Sequence, residues 1–276
     1  MRRTLLFLVV VVVLGGGVGR AQAPPTAAQA PADARAATVV DDMMKAMGGM
    51  GGWEKTRYLR FDWVVEREGK QVVYVKHLWD RYEGRYRVEW ESKDGKKIAA
   101  LFNVNTRTGH VWVNGQPASN EDEKKYLDAA YGRFINDSYW LLMPWKLKDP
   151  GVTLKYDGET EMKGEKYDQV EVSFGKVGLT PGDHYWAFIN RRTHMMDRWA
   201  YFLQDYEGKP ALDKATPWEW RDWEMVGTIR LARDKAKVGD EKTRIYFPLL
   251  MAPSQVDAQV FESLSAPMPG PAPSSH

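Results

Sequence analysis

The sequence predicts a mainly β (α+β) fold: a strongly curved antiparallel half-barrel of about a dozen strands, with a short N-terminal helix and an inserted helix covering the concave face. Three observations predict it. Strand-like segments follow one another with only turn-length breaks, too short for crossover helices, so neighbours should pair antiparallel. Several segments alternate cleanly between apolar and polar residues, giving one dry and one wet face. The chain also carries 12 Trp, 13 Tyr and 9 Phe, with two helical segments to cover that dry face. A sheet that wraps around them is the physical solution.

The elements follow in order. Thr38 is a candidate N-cap for the short helix VVDDMMKAMGG, stopped by the glycines at 48–52. Strands are expected near 57–66, 70–80, 84–92, 96–105 and 109–113, separated at Glu68-Gly69-Lys70, Glu83-Gly84, Asp94-Gly95 and Thr108-Gly109. Tyr86, Val88 and Trp90 alternate with Arg85, Arg87, Glu89 and Glu91, and Ile98, Ala100, Phe102 and Val104 form a second such row. Gln71 to Trp79 is apolar on both sides, which leaves open a strand covered twice or a different phase.

Ser119-Asn120-Glu121-Asp122 has the form of a capping box. It opens a helix in which Tyr126, Ala130 and Phe134, and Leu127, Tyr131 and Ile135, recur at spacing four. Asp137 and Ser138 are expected to end it. After Asp149-Pro150-Gly151, strands are expected near 152–157, 166–174, 184–190, 195–203, 218–226, 227–233 and 242–249, with no repeat of fixed period.

The ends carry other signals. Arg2 and Arg3 precede the apolar run Leu5 to Leu14, and Gly19 and Ala21 occupy small-residue positions, so residues 1–21 read as a cleavable signal peptide. The apolar run is short for a bilayer span, which needs about 20 residues, and an uncleaved N-terminal anchor is the other reading. Residues 22–37, rich in Ala and Pro, read as a linker; 38–264 as the folded domain; and 265–276 (SAPMPGPAPSSH) as a disordered tail. The expected location is periplasmic or secreted.

The chain has no cysteine, which excludes disulfides, thiol catalysis, thiolate metal sites and a lipid-anchored cysteine. Its formal charge of +2 gives little pull toward nucleic acid. The groups Arg85/Arg87, Lys93/Lys96/Lys97, Arg191/Arg192 and Arg230/Arg233/Lys235/Lys237 sit among acids and read as solvated faces; peripheral attraction to anionic lipid headgroups is their functional reading.

The segments Asp137 to Tyr156 (DSYWLLMPWKLKDPGVTLKY), Gly178 to Ile189 (GLTPGDHYWAFI) and Met195 to Phe202 (MMDRWAYF), with Gly51-Gly52-Trp53 before the first strand, resemble an uncharacterised exported branch of the lipoprotein localisation factor (LolA/LolB-like) half-barrel superfamily. The resemblance covers most of 38–250. It implies an exported half-barrel whose concave cavity, in the superfamily's carriers, holds acyl chains. Related members include periplasmic stress sensors. It brings no catalytic motif, and no arginine here matches a lid-closing arginine.

Other motifs are weak. Gly48 to Thr56 has the look of a phosphate loop, but Glu54 stands where glycine must precede Lys-Thr, and a helix rather than a strand comes before it; a helix-to-strand hinge is expected. His77, His110, His184 and His194 show no metal-ligand spacing and no evident acid–histidine cluster, and Asp183-His184 reads as a turn and strand start. Ser138 lacks a nucleophile elbow. No metal or other cofactor is expected.

The tryptophans are the informative feature, open to three readings: packed core, ligand cavity or sugar stacking. An acyl chain gains about 0.8 kcal/mol per buried methylene without any polar partner. Sugar binding needs polar side chains beside the rings, dense only at Asp222 and Glu224 near Trp220 and Trp223. The leading expectation is therefore a non-catalytic protein that binds a lipid or other apolar ligand, with 119–145 as lid or plug. Phe61, Trp63, Val88, Trp90, Phe102, Trp140, Leu141, Trp186 and Trp199 are the expected lining, the strand phase being open for Trp186 and Trp199. The alternative is a sensor or interaction module with a filled cavity and an envelope-protein partner. A hydrolase using Asp137, Ser138 or His184 is a third reading.

Overall fold

The structure, a computed structural model, describes residues 33–175 and 180–271. The expected signal peptide, residues 22–32 of the linker and 272–276 of the tail lie outside the described residues.

Helices α1 (Ala34–Ala46) and α2 (Gly49–Lys55) come first, then strands β1 (Tyr58–Arg67), β2 (Lys70–Asp80), β3 (Arg85–Glu91), β4 (Lys97–Asn103), β5 (Thr108–Val113) and β6 (Gln116–Pro117). Helix α3 (Asn120–Leu142) is inserted here. Strands β7 (Val152–Met162), β8 (Glu165–Phe174), β9 (His184–Asn190), β10 (Met196–Phe202), β11 (Thr216–Val226), β12 (Ile229–Lys237), β13 (Asp240–Tyr246) and β14 (Leu250–Met251) follow. They form a 14-stranded sheet in the order β6-β5-β4-β3-β2-β1-β13-β12-β11-β10-β9-β8-β7, with β14 beside β1. Among the described residues the two ends of this order, β6 and β7, do not pair, so the sheet is open. The mainly β, antiparallel class read from the sequence is the one observed.

The described chain divides into two compact units, and α3 and β11 each pass from one to the other. The first comprises the chain up to Met47 together with Tyr139–Trp220. Its helix α1 begins earlier than the expected Thr38 cap. Asp33 is the cap, accepting from the backbone N–H groups of Arg35 and Ala36, both at 3.0 Å. Aspartate is a strong N-cap and the alanines after it are good helix formers, so residues 34–37, assigned to the linker by composition, are helical. Asp33 also accepts from the Tyr156 N–H of β7 at 2.7 Å.

In this unit both faces of β9 and β10 are apolar. Trp199 pairs with Ala187 and Trp218, while Ala200 pairs with Trp186. Trp186 therefore lies on the opposite face from Trp199, in a cluster with Tyr167, Phe188, Ala200 and Phe202. The expectation of one lining containing both residues is corrected: two apolar faces leave sequence periodicity without a phase.

The second unit comprises Gly48–Ser138 and the chain from Arg221. The expected hinge at 48–56 is instead the short helix α2. It packs closely on the turn before β12: a Cβ on Gly52 would stand 2.5 Å from the Thr228 carbonyl oxygen. Thr108-Gly109 is not a turn but the start of β5. Gly109 pairs with Phe102, and a Cβ there would meet the Leu101 carbonyl oxygen at 2.2 Å; the bend falls instead at Arg107, whose φ is +59°.

Helix α3 starts as its capping box predicts, with the Asp122 N–H donating to Ser119 Oγ at 3.2 Å, and acids fill its first turn, where they favour the helix dipole. It does not end at Asp137-Ser138. No breaker occurs before Pro144, so the helix runs to Leu142 and a 3-10 turn, Met143–Lys146, follows.

The tail is not loose where it is described. Val260 and Phe261 pack on Tyr58 and Leu78, joined by Ala266 and Met268. Arg87 donates to the carbonyls of Val260, Ser263 and Ala266, at 3.1, 3.2 and 2.7 Å, and Arg60 to that of Pro269 at 3.1 Å. Proline and serine lower the tail's apolar content, but its carbonyls satisfy two arginines rooted in the sheet. Strand β2 is accordingly covered twice only in its second half; Val72 and Tyr74 are exposed.

Candidate functional site

The strand register of the second unit builds one continuous apolar face. Phe61 pairs with His77, His77 with Val88 and Val88 with Ala100. Trp63 pairs with Val75, and Val75 with Trp90; Trp79 pairs with Tyr86, and Tyr86 with Phe102. Five of the expected lining residues, Phe61, Trp63, Val88, Trp90 and Phe102, thus share this face, and all are buried. The alternation legible in 85–91 and 97–103 is its cause.

Helix α3 covers the face with aromatic rings. Phe134 meets Trp79 and Tyr86 at centroid distances of 5.1 and 5.0 Å, both edge-on, and Tyr126 meets Trp90 at 6.3 Å. Edge-to-face pairs at these distances are favourable beyond the area they bury.

One polar group interrupts this apolar layer. His77 is fully buried; its Nδ1 lies 2.8 Å from the Tyr86 hydroxyl and its Nε2 lies 3.2 Å from Asp137 Oδ2. Asp137 is also fully buried and accepts from the Asn136 side chain at 2.7 Å. Arg133 Nη1 stands 3.7 Å from the same Oδ2. His77 Nε2 and Asp137 Oδ2 stand within reach of each other but outside full hydrogen-bond geometry, and the Trp63 and Trp79 indole N–H groups on this face also lack acceptors. Burial pushes the His77 pKa down, against the opposing pull of Asp137, and pushes the Tyr86 phenol well up. An acid–histidine cluster therefore exists, contrary to the sequence expectation. Its members are far apart in the chain, and only the docking of α3 brings them together.

The same unit holds a second buried ionisable group that the sequence reading placed on a solvated face. Lys235 is fully buried, with Nζ 4.1 Å from the centre of the Phe247 ring, and burial drives its pKa well down. Phe247 in turn lies 6.0 Å from Phe61.

In the first unit, Trp140 sits edge-on to Trp199 and Trp218, each at 4.9 Å, and Trp199 stacks on Tyr185 at 5.2 Å. Leu141 is buried beside it in the chain. Ser138 and His184 lie in different units. His184 Nδ1 approaches Glu171 at 3.5 Å. Among the described residues, no group of three His, Asp or Glu side chains is arranged to hold a metal ion, and no helix is long and apolar enough to cross a membrane.

No protein-family model matches the chain, and no curated protein matches it in sequence. Among solved structures it is similar to a DUF1329 family protein from Desulfovibrio piger, at 12% identity, covering 82% of this chain and 96% of that one, with a TM-score of 0.48. It is likewise similar to a LolA superfamily protein from Nitrosomonas europaea, at 8% identity, with coverage of 82% and 96% and a TM-score of 0.47. At these values neither likeness says what this chain binds or does.

Proposed function

We propose that the chain is an exported, non-catalytic protein that binds a lipid or another apolar molecule on the helix-covered face of the second unit, with α3 as its lid. The observation that carries this reading is the makeup of that face. Phe61, Trp63, Val88, Trp90 and Phe102 form a broad apolar surface from neighbouring strands, and the Phe134 and Tyr126 rings of α3 lie against its Trp79, Tyr86 and Trp90 part. Trp140, Trp199 and Trp218 form a smaller aromatic cluster of the same character in the first unit, with Leu141 buried next to Trp140 in the chain, and the opposite-face Trp186 drops out of the lining.

The chemistry needs no reacting group. Eight methylenes moved from water onto this face would gain about 6 kcal/mol. Lifting Tyr126 and Phe134 off the face offsets part of that gain. The helix is nevertheless not optimised to stay: it carries the fully buried Asp137 carboxyl into a dry layer, and burying such a group is costly. The resemblance read from the sequence points to the same use.

A second reading has an observation of its own in favour. All nine expected lining residues are buried against protein, as in a filled module that recruits an envelope partner. Organic extraction of the purified protein followed by mass spectrometry separates the two. A stoichiometric acyl-containing species supports the lid reading; a lipid-free protein that crosslinks to an envelope protein supports the second.

A further inference from the structure

We infer that the His77–Asp137 contact is the seat of a ligand's carboxylate, with Asp137 standing in for that group while α3 is docked, so that the preferred ligand is a free fatty acid. This rests on the apolar face being a ligand seat, and it adds the chemical class of the head group.

The sheet side of the contact is a set of donors. A carboxylate only accepts hydrogen bonds, so the nitrogen facing Asp137, His77 Nε2, carries the ring proton. His77 Nδ1 then accepts from the Tyr86 hydroxyl at 2.8 Å, which fixes the tautomer from the side away from the helix. The Trp63 and Trp79 indoles add two buried N–H groups on the same face without acceptors. Arg133 supplies positive charge 3.7 Å from the bound oxygen. Three buried N–H donors, on His77, Trp63 and Trp79, thus lack acceptors, against two buried acceptors without donors, Asp137 Oδ2 and Asn136 Oδ1.

Asp137 fills the seat incompletely. Its Oδ2 reaches 3.2 Å from His77 Nε2 without completing a hydrogen bond. A short side chain fixed to a helix cannot turn freely to meet a donor, whereas a carboxylate on a flexible chain can. Around the donors lie Phe61, Val88 and Trp90, which offer nothing but apolar contact. An acceptor-only head on an apolar tail satisfies both parts of the surface. An ester lacks the charge, and an alcohol brings a further donor where acceptors are short.

Fluorescent-probe displacement by palmitate and by methyl palmitate, on the full chain, tests this. The wild type should bind palmitate on the order of tenfold more tightly than the ester, the worth of one charge-assisted hydrogen bond. Asp137→Asn should strengthen palmitate binding and leave the ester unchanged. His77→Phe should remove the difference between the two ligands, and His77→Gln, which keeps a donor, should restore part of it; thermal melts confirm that each variant is folded. Equal affinity for acid and ester in the wild type, or an equal gain for both with Asp137→Asn, overturns the carboxylate seat and leaves the apolar reading standing. Failure of both ligands to displace the probe overturns the two together.

Discussion

His77 Nε2 stands 3.2 Å from Asp137 Oδ2, and both side chains are fully buried, one on β2 and the other on α3. This contact ties the lid to the sheet through two ionisable groups.

The tie makes stability depend on pH in a defined direction. Burial lowers the folded-state pKa of His77, while the unfolded chain titrates near 6.5. Below that value the unfolded state binds the extra proton, so stability is full above about pH 6.5 and falls as pH drops through it, by at most about 1.4 kcal/mol per pH unit. The groups facing His77 are Asp137 and Arg133 from α3 and Tyr86 from β3, with Arg60 acting from β1. Urea unfolding at pH 7.5 and pH 5 should show a larger loss for the wild type than for His77→Gln. Equal losses would contradict the assignment.

Gly132 lies in the middle of α3, and a Cβ there would meet nothing within 4 Å. Packing does not require the glycine, and it weakens the helix. Gly132→Ala should raise stability by about 0.5–1 kcal/mol and slow ligand uptake. A thermal melt and a stopped-flow binding trace check the two effects; a lower melting temperature would show that the site is not free to accept a methyl group.

Arg87 holds the C-terminal segment by four carbonyls, those of Val260, Ser263, Leu264 and Ala266. Arg87→Ala should free that segment and uncover Tyr58 and Leu78. Limited proteolysis should then cut within 254–271 in the variant much faster than in the wild type. Unchanged cleavage would mean that the apolar contacts of Val260 and Phe261 suffice.

Trp140 and Trp218 meet edge-on at 4.9 Å. Each alanine substitution should cost about 3–5 kcal/mol, and the double-mutant cycle should leave a coupling of about 0.5–1.5 kcal/mol. A coupling of zero would mean that the pair contributes area alone.

The sequence made the succession of strands along the chain and the face of β3 and β4 legible, because alternating residues such as Tyr86, Val88 and Trp90 state their phase locally, whereas the pairing of β1 with β13 has no local signal. Ser119 announced α3 for the same reason. What was hidden depends on contacts between distant segments. Nothing local pairs His77 with Asp137. Trp186 and Trp199 lie on strands apolar on both faces, where a period of two carries no direction. Asp33 stands at the boundary of an alanine-rich stretch whose composition hides its helix. The tail's anchoring depends on Arg60 of β1 and on Arg87 of β3, and Arg87 reads as a charge on a solvated face until that face is seen to be covered.

The central claim is that α3 gives way to an apolar guest. The most direct measurement is titration of the purified, delipidated protein with a fluorescent fatty acid, followed by displacement with an unlabelled one. The account predicts saturable binding that Gly132→Ala slows and an unlabelled fatty acid reverses. A probe that never binds saturably to delipidated, folded protein would contradict it.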